Sequence, residues 1–134
     1  MKEFFFISGL PRSGSTLLSA IFRQNPEFYA DISSPVQSLV SATINIITNS
    51  ESNHLIDEER RKKLLRSLFN AYYESVEQPT IFDTCRGWTA KTSLLKTLFP
   101  QTKIICCVRD LFWILDSFER IAAKNSLYGA TLTD

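Results

Sequence analysis

The chain has 134 residues, with 15 Lys and Arg against 14 Asp and Glu and a formal net charge of +1. A balance so close to zero excludes the one-signed field of a DNA, RNA or membrane-surface binder, so any anion site has to be local. Hydrophobic residues at 44% and charged residues at 22% describe an ordinary soluble globular domain, large enough to bury a core without disulfide or metal staples.

Phe4 to Ser8 (FFFIS) is a short apolar run that predicts a buried strand. Gly9, Pro11 and Gly14 break it into a loop, after which Thr16 to Arg23 places Leu17, Leu18, Ile21 and Phe22 at helical spacing. Asn25 and Pro26 stop that helix, and Phe28 to Ile32 is a second strand candidate. Pro35 opens a helix with Val36, Leu39, Val40, Ile44 and Ile47 on its apolar positions, and Asn49 to Asn53 reads as an exposed loop. Asp57 is placed to cap the next helix, whose apolar face runs from Leu64 to Val76 before Pro79 closes it. Thr80 to Asp83 is a short strand, a helix follows from about Trp88 to Phe99, and Lys103 to Val108 (KIICCV) is a further buried strand. Asp110 is placed to cap a last helix carrying Leu111, Ile114, Leu115, Phe118 and Ile121. Strands alternating with helices predict an α/β fold, a three-layer sandwich with a central parallel sheet flanked by helices.

Cys85, Cys106 and Cys107 show no C-x-x-C spacing, which argues against a disulfide framework or a zinc site and reads as buried reduced thiols of a cytoplasmic protein. Phe4 to Ile7 is interrupted by Pro11 and Arg12 before a signal-peptide core could form, and no segment approaches the roughly 20 apolar residues of a membrane span. His54 in its polar loop reads as solvated, no metal-ligand cluster is evident, and Tyr72, Tyr73 and Tyr128 read as helix-packing and tail residues.

Between the first strand and the first helix stands Gly9-Leu10-Pro11-Arg12-Ser13-Gly14-Ser15-Thr16. Backbone N–H groups and the helix dipole converge on an anion at such a junction. The glycines let the backbone curl, Ser13, Ser15 and Thr16 offer hydroxyls, and Arg12 offers a planar cationic fork. The spacing comes near the nucleoside-triphosphate pattern G-x-x-x-x-G-K-[ST], but Ser15 stands where the lysine would be and the cation has moved to Arg12.

In these residues the chain resembles the sulfotransferase superfamily, whose phosphosulfate loop reads P-[KR]-S-G-[ST]-[ST]. Pro11, Arg12, Ser13, Gly14, Ser15 and Thr16 match every position, and the Arg form is similar to the branch that holds tyrosylprotein sulfotransferases and many bacterial relatives. The family's 3′-phosphate motif is an Arg at a strand end with a Ser eight residues on, and Arg109 and Ser117 have that relation. A strand-end Arg paired with Asp110 or Asp116 is the plainer alternative. Gly87-Trp88-Thr89-Ala90-Lys91-Thr92 is similar to a family segment that sets a second cation near the sulfonate, which makes Lys91 a candidate, with a solvated helix lysine as its alternative.

The resemblance implies that 3′-phosphoadenosine 5′-phosphosulfate (PAPS) is the co-substrate, adenosine 3′,5′-bisphosphate (PAP) the product, and a hydroxyl or amine the acceptor, with no metal. Arg12, Lys91 and the loop amides would stabilise charge on the leaving oxygen. Where the tyrosylprotein branch carries its basic Glu this chain has Ser33, so Asp31, or Asp83 at its strand end, takes the place of candidate base, each with a turn or capping role as alternative. Residues 1–134 read as one domain, incomplete relative to the family. Two further readings stay open: an ATP-dependent kinase with Asp83 or Asp110 on Mg²⁺, and a nucleotide-binding domain without catalysis.

Overall fold

In the computed structural model, which describes residues 2–124, four strands form one sheet: β1 (Glu3–Gly9), β2 (Phe28–Ala30), β3 (Thr80–Thr84) and β4 (Ile104–Cys107). They lie in the order β2-β3-β1-β4 and every pair is parallel. Five α-helices connect and flank them: α1 (Ser15–Phe22), α2 (Val36–Asn49), α3 (Glu58–Tyr72), α4 (Thr92–Leu98) and α5 (Leu111–Lys124). The α/β fold with a parallel central sheet is the one the pattern of strands and helices predicts.

The run Phe4-Phe5-Phe6-Ile7 is apolar without alternation because β1 is an inner strand with both faces covered. Successive side chains still point to opposite faces. Phe4 and Phe6 enter a large core with Val36, Val40, Leu65, Phe69, Tyr73, Trp88, Leu95 and Leu98, supplied by α2, α3, α4 and the turn before α4. Ile7 enters the smaller layer on the other side, with Ala30, Phe82 and the α1 residues Leu18 and Phe22. Phe69 is the hub of the large core: its ring stacks on Trp88 with centroids 5.8 Å apart and meets Phe6 edge-on at 5.8 Å.

Capping holds where it is predicted. Asp57 accepts from the Arg60 N–H at 2.8 Å at the start of α3, and Asp110 accepts from the Phe112 N–H at 2.8 Å at the start of α5. Three expectations need correction. Residues 88–99 are not one helix, since Arg86–Lys91 is a 3-10 turn and only Thr92–Leu98 is α-helical; buried bonds to Trp88 and Ser8, described below, hold the turn tight. Asn49 ends α2, and Glu51–Leu55 winds as a 3-10 turn with Ser50 accepting from the Ser52 N–H. The cysteines are free thiols but not all sheltered: Cys106 is exposed because β4 lies at the sheet edge.

Helix α5 is the least embedded. Only Ile114 is buried, while Leu111, Phe112, Trp113 and Leu115, with Val108 before them, present apolar side chains outward. Tyr128 lies outside the described residues.

A parallel sheet gathers all its carboxyl ends at one edge. The loop after β1, Asp31 after β2, the 86–91 turn after β3 and Arg109 after β4 therefore share that edge. The chain reaches β2 and β3 on one side of β1 and β4 on the other, so the loop after β1 sits at the switch point where ligands bind in open α/β sheets.

Candidate functional site

The loop after β1 is shaped by three residues with positive φ. Gly9 has φ 147°, Arg12 φ 66° and Gly14 φ 107°. Gly9 is required twice over, since a Cβ there would lie 2.5 Å from the Cys107 carbonyl oxygen and 2.7 Å from Ser13 Oγ. Its bare backbone lets the loop fold back on β4. Arg12 is the one described non-glycine residue in the left-handed region, a conformation that costs on the order of 1 kcal/mol and clusters at ligand sites. Gly14 precedes α1 and offers no side chain to cap it. The first N–H groups of α1 therefore lack the usual internal acceptor.

The two arginine motifs meet. Arg12 Nε donates to Ser117 Oγ at 2.8 Å, and Arg109 Nη1 donates to the Arg12 carbonyl at 3.1 Å. Arg12, Arg109 and Ser117 thus form one cluster over the Gly9–Thr16 loop. Neither aspartate near Arg109 neutralises it among the described residues: Asp110 caps α5, and Asp116 pairs with Arg120 at 2.7 Å. Ser13 Oγ is buried and has no hydrogen-bond partner among the described residues. A buried hydroxyl without a partner costs roughly 1–3 kcal/mol, which an anion seated in the loop would offset.

Lys91 lies at the junction of the 86–91 turn and α4 and is half-buried. The turn is fixed to β1: Ser8 Oγ donates to the Arg86 carbonyl at 2.8 Å and accepts from the Thr89 N–H at 3.3 Å, and the Cys85 N–H donates to the Ile7 carbonyl at 3.0 Å. Asp31 stands apart from the arginine cluster. It follows edge strand β2, two strands from β1, which is roughly 10 Å at the usual strand spacing. Its carboxylate accepts from the Ile32 N–H at 2.8 Å and from the Tyr29 hydroxyl at 3.3 Å, and the residue is half-buried. The Tyr29 hydroxyl is pushed up from its ordinary pKa by burial and by the Asp31 charge.

Asp83 has neither of the roles open to it from sequence. It is fully buried, and its carboxylate accepts from Trp88 Nε1 at 2.6 Å, Ser34 Oγ at 2.7 Å and the Tyr73 hydroxyl at 2.7 Å. No acceptor or Mg²⁺ can reach it without dismantling the core. Burial raises its pKa above the usual carboxylate value, and the three donors pull the other way. The hydrogen bonds of Ser8, Ser34 and Trp88 that hold this end of the sheet were not foreseen from sequence. For Ser8 the available signal was a polar residue closing an apolar strand, as in FFFIS.

Among the described residues no group of three or more His, Cys, Asp or Glu side chains is arranged to hold a metal ion, and no helix is long and apolar enough to cross a membrane. Fold and site together define an α/β protein that concentrates cationic and hydroxyl groups where a parallel sheet presents its carboxyl ends. The chain belongs to the sulfotransferase family, whose model matches residues 5–133. No curated protein matches it. Transfer of a sulfonyl group is the general chemistry of that family.

Proposed function

We propose that the chain binds PAPS and passes its sulfonate to a hydroxyl or amine acceptor. The observation that carries this reading is the meeting of Arg12, Ser117 and Arg109 over one loop, with Ser13 Oγ buried and unpartnered beneath it. The residues fit a ligand with phosphate at two places. The Gly9–Thr16 loop, with Arg12, Ser13, Ser15 and Thr16, would hold the 5′-phosphosulfate, and Arg109 with Ser117 would hold the 3′-phosphate. When bound, PAPS supplies a sulfonate already attached to a phosphate leaving group.

The chain's own residues supply the rest. Arg12 and Lys91 set positive charge where negative charge grows on the leaving oxygen, and preorganised donors of this kind lower barriers without reorganising. Asp31 is a half-buried carboxylate at the end of β2, whereas Asp83 is sealed in the core. We assign Asp31 the proton of the incoming acceptor.

Calorimetric titration with adenosine 3′,5′-bisphosphate and, separately, with Mg-ATP tests the donor. Tight binding of the bisphosphate alone is expected, and binding of Mg-ATP alone would overturn the reading. Transfer of labelled sulfonate from PAPS to a panel of phenols, sugars and amines then identifies the acceptor class.

A further inference from the structure

Asp83 is an ionisable carboxyl group sealed in the core, out of contact with solvent. Replacing buried ionic groups by apolar ones is often neutral or favourable for stability, so stability alone does not account for this carboxylate. Its partners do. They come from three separate segments: Ser34 ahead of α2, Tyr73 at the end of α3 and Trp88 in the 86–91 turn.

Two of the three lead to the edge of the sheet that carries the site. Ser34 Oγ, besides donating to Asp83, accepts from the Val36 N–H at 3.2 Å, and the Ser34 N–H donates to the Thr84 carbonyl at 3.0 Å, so the entry into α2 is fixed. Trp88 is fully buried in the turn that ends at Lys91. With Ser8 holding the same turn from β1, the turn is gripped from two strands. The α2 entry and the turn also touch: a Cβ on Gly87 would lie 2.8 Å from Nε2 and 2.9 Å from Cδ of Gln37.

We propose, resting on the sulfotransferase reading of the site, that Asp83 is a positioning residue. By clamping Trp88 and Ser34 it makes the α2 entry and the 86–91 turn one rigid wall, and so fixes where Lys91 stands relative to the Gly9–Thr16 loop. Tyr73, the third donor, anchors the clamp to α3 and leads to no residue of the site.

The test contrasts partners of the same carboxylate. Trp88→Phe and Tyr73→Phe each remove one donor and keep an aromatic ring, and Asp83→Asn replaces the carboxyl group by an amide of the same shape. In the ligand-free protein, amide hydrogen exchange across residues 86–91 should quicken about tenfold in Trp88→Phe and Asp83→Asn, and stay near wild type in Tyr73→Phe. In titrations with adenosine 3′,5′-bisphosphate, Lys91→Ala should weaken binding about tenfold in the wild-type and Tyr73→Phe backgrounds, the usual size of a charge-assisted contact. The same change should cost less than about twofold in the Trp88→Phe background, because non-additivity reports coupling. Equal Lys91→Ala losses in every background would mean that Asp83 merely supports the core, and would overturn the proposal. Unaltered exchange over 86–91 in Trp88→Phe would overturn it too, even if Asp83→Asn failed to fold. A wild-type protein that binds no bisphosphate would instead overturn the functional reading, while the exchange contrast would still decide whether the clamp exists.

Discussion

Nη1 of Arg109 donates to the backbone carbonyl of Arg12 at 3.1 Å, although 97 positions separate the two residues in sequence. The bond runs from the end of β4 to the loop after β1, which are adjacent strands. Arg109→Ala and Arg12→Ala should each weaken adenosine 3′,5′-bisphosphate binding by roughly tenfold to a hundredfold, the effect of losing a charge-assisted contact. Both sites are exposed, so thermal midpoints should move little. Unchanged affinity in both variants would contradict the site assignment.

Arg12→Gly separates binding from backbone strain. Arg12 holds φ 66°, which glycine adopts freely. The variant should unfold at higher urea by up to about 1 kcal/mol relative to Arg12→Ala, while binding the bisphosphate no better. Equal stability of the two variants would show that the loop carries no strain at this residue.

The two loop glycines should respond unequally to alanine. At Gly9 the new methyl would meet the Cys107 carbonyl at 2.5 Å, and the strained φ adds to the clash. A loss of about 2–4 kcal/mol is expected, with β4 displaced from β1. At Gly14 nothing lies within 4 Å and only the φ of 107° is disfavoured, so the cost should be nearer 1 kcal/mol. Chemical denaturation of the two variants orders them, and a larger loss at Gly14 would contradict the geometry.

Burial raises the pKa of Asp83 above that of an unfolded aspartate, so the fold favours its protonated form. Its contribution to stability is then fullest below the unfolded value and fades as pH rises through the folded one. The unfolding free energy of wild type minus that of Asp83→Asn should therefore shift in favour of wild type between neutral pH and about pH 4.5, measured by urea midpoints. A shift in the opposite direction would mean that the donors from Trp88, Ser34 and Tyr73 outweigh desolvation.

Much of the fold is legible in the chain because β1 and β4 are apolar runs bounded by turn residues, and Asp57 and Asp110 sit where helix caps belong. The Gly9–Thr16 loop and the Arg109–Ser117 pair stand out in the sequence as site candidates because their chemistry is local, and the structure brings Arg12, Arg109 and Ser117 together. What could not be read is what depends on distant packing. Trp88 scores as an apolar residue of a helix, yet its indole N–H is spent on Asp83. Cys106 sits in an apolar run, and only the strand order reveals that it faces outward. Asp83 looks like any strand-end aspartate until Tyr73, ten positions before it, and Ser34, 49 positions before it, close over it.

Among the described residues, helix α5 is held by the buried Ile114, by partly buried Phe118 and Ile121, and by the contacts of Ser117 and Arg109 with Arg12. An anion held between those arginines would be gripped by the helix and by the loop at once, and would act as mortar between them. By reciprocal linkage, a change that favours opening of α5 weakens the binding of such an anion, and the bound anion lowers the equilibrium population of the opened helix.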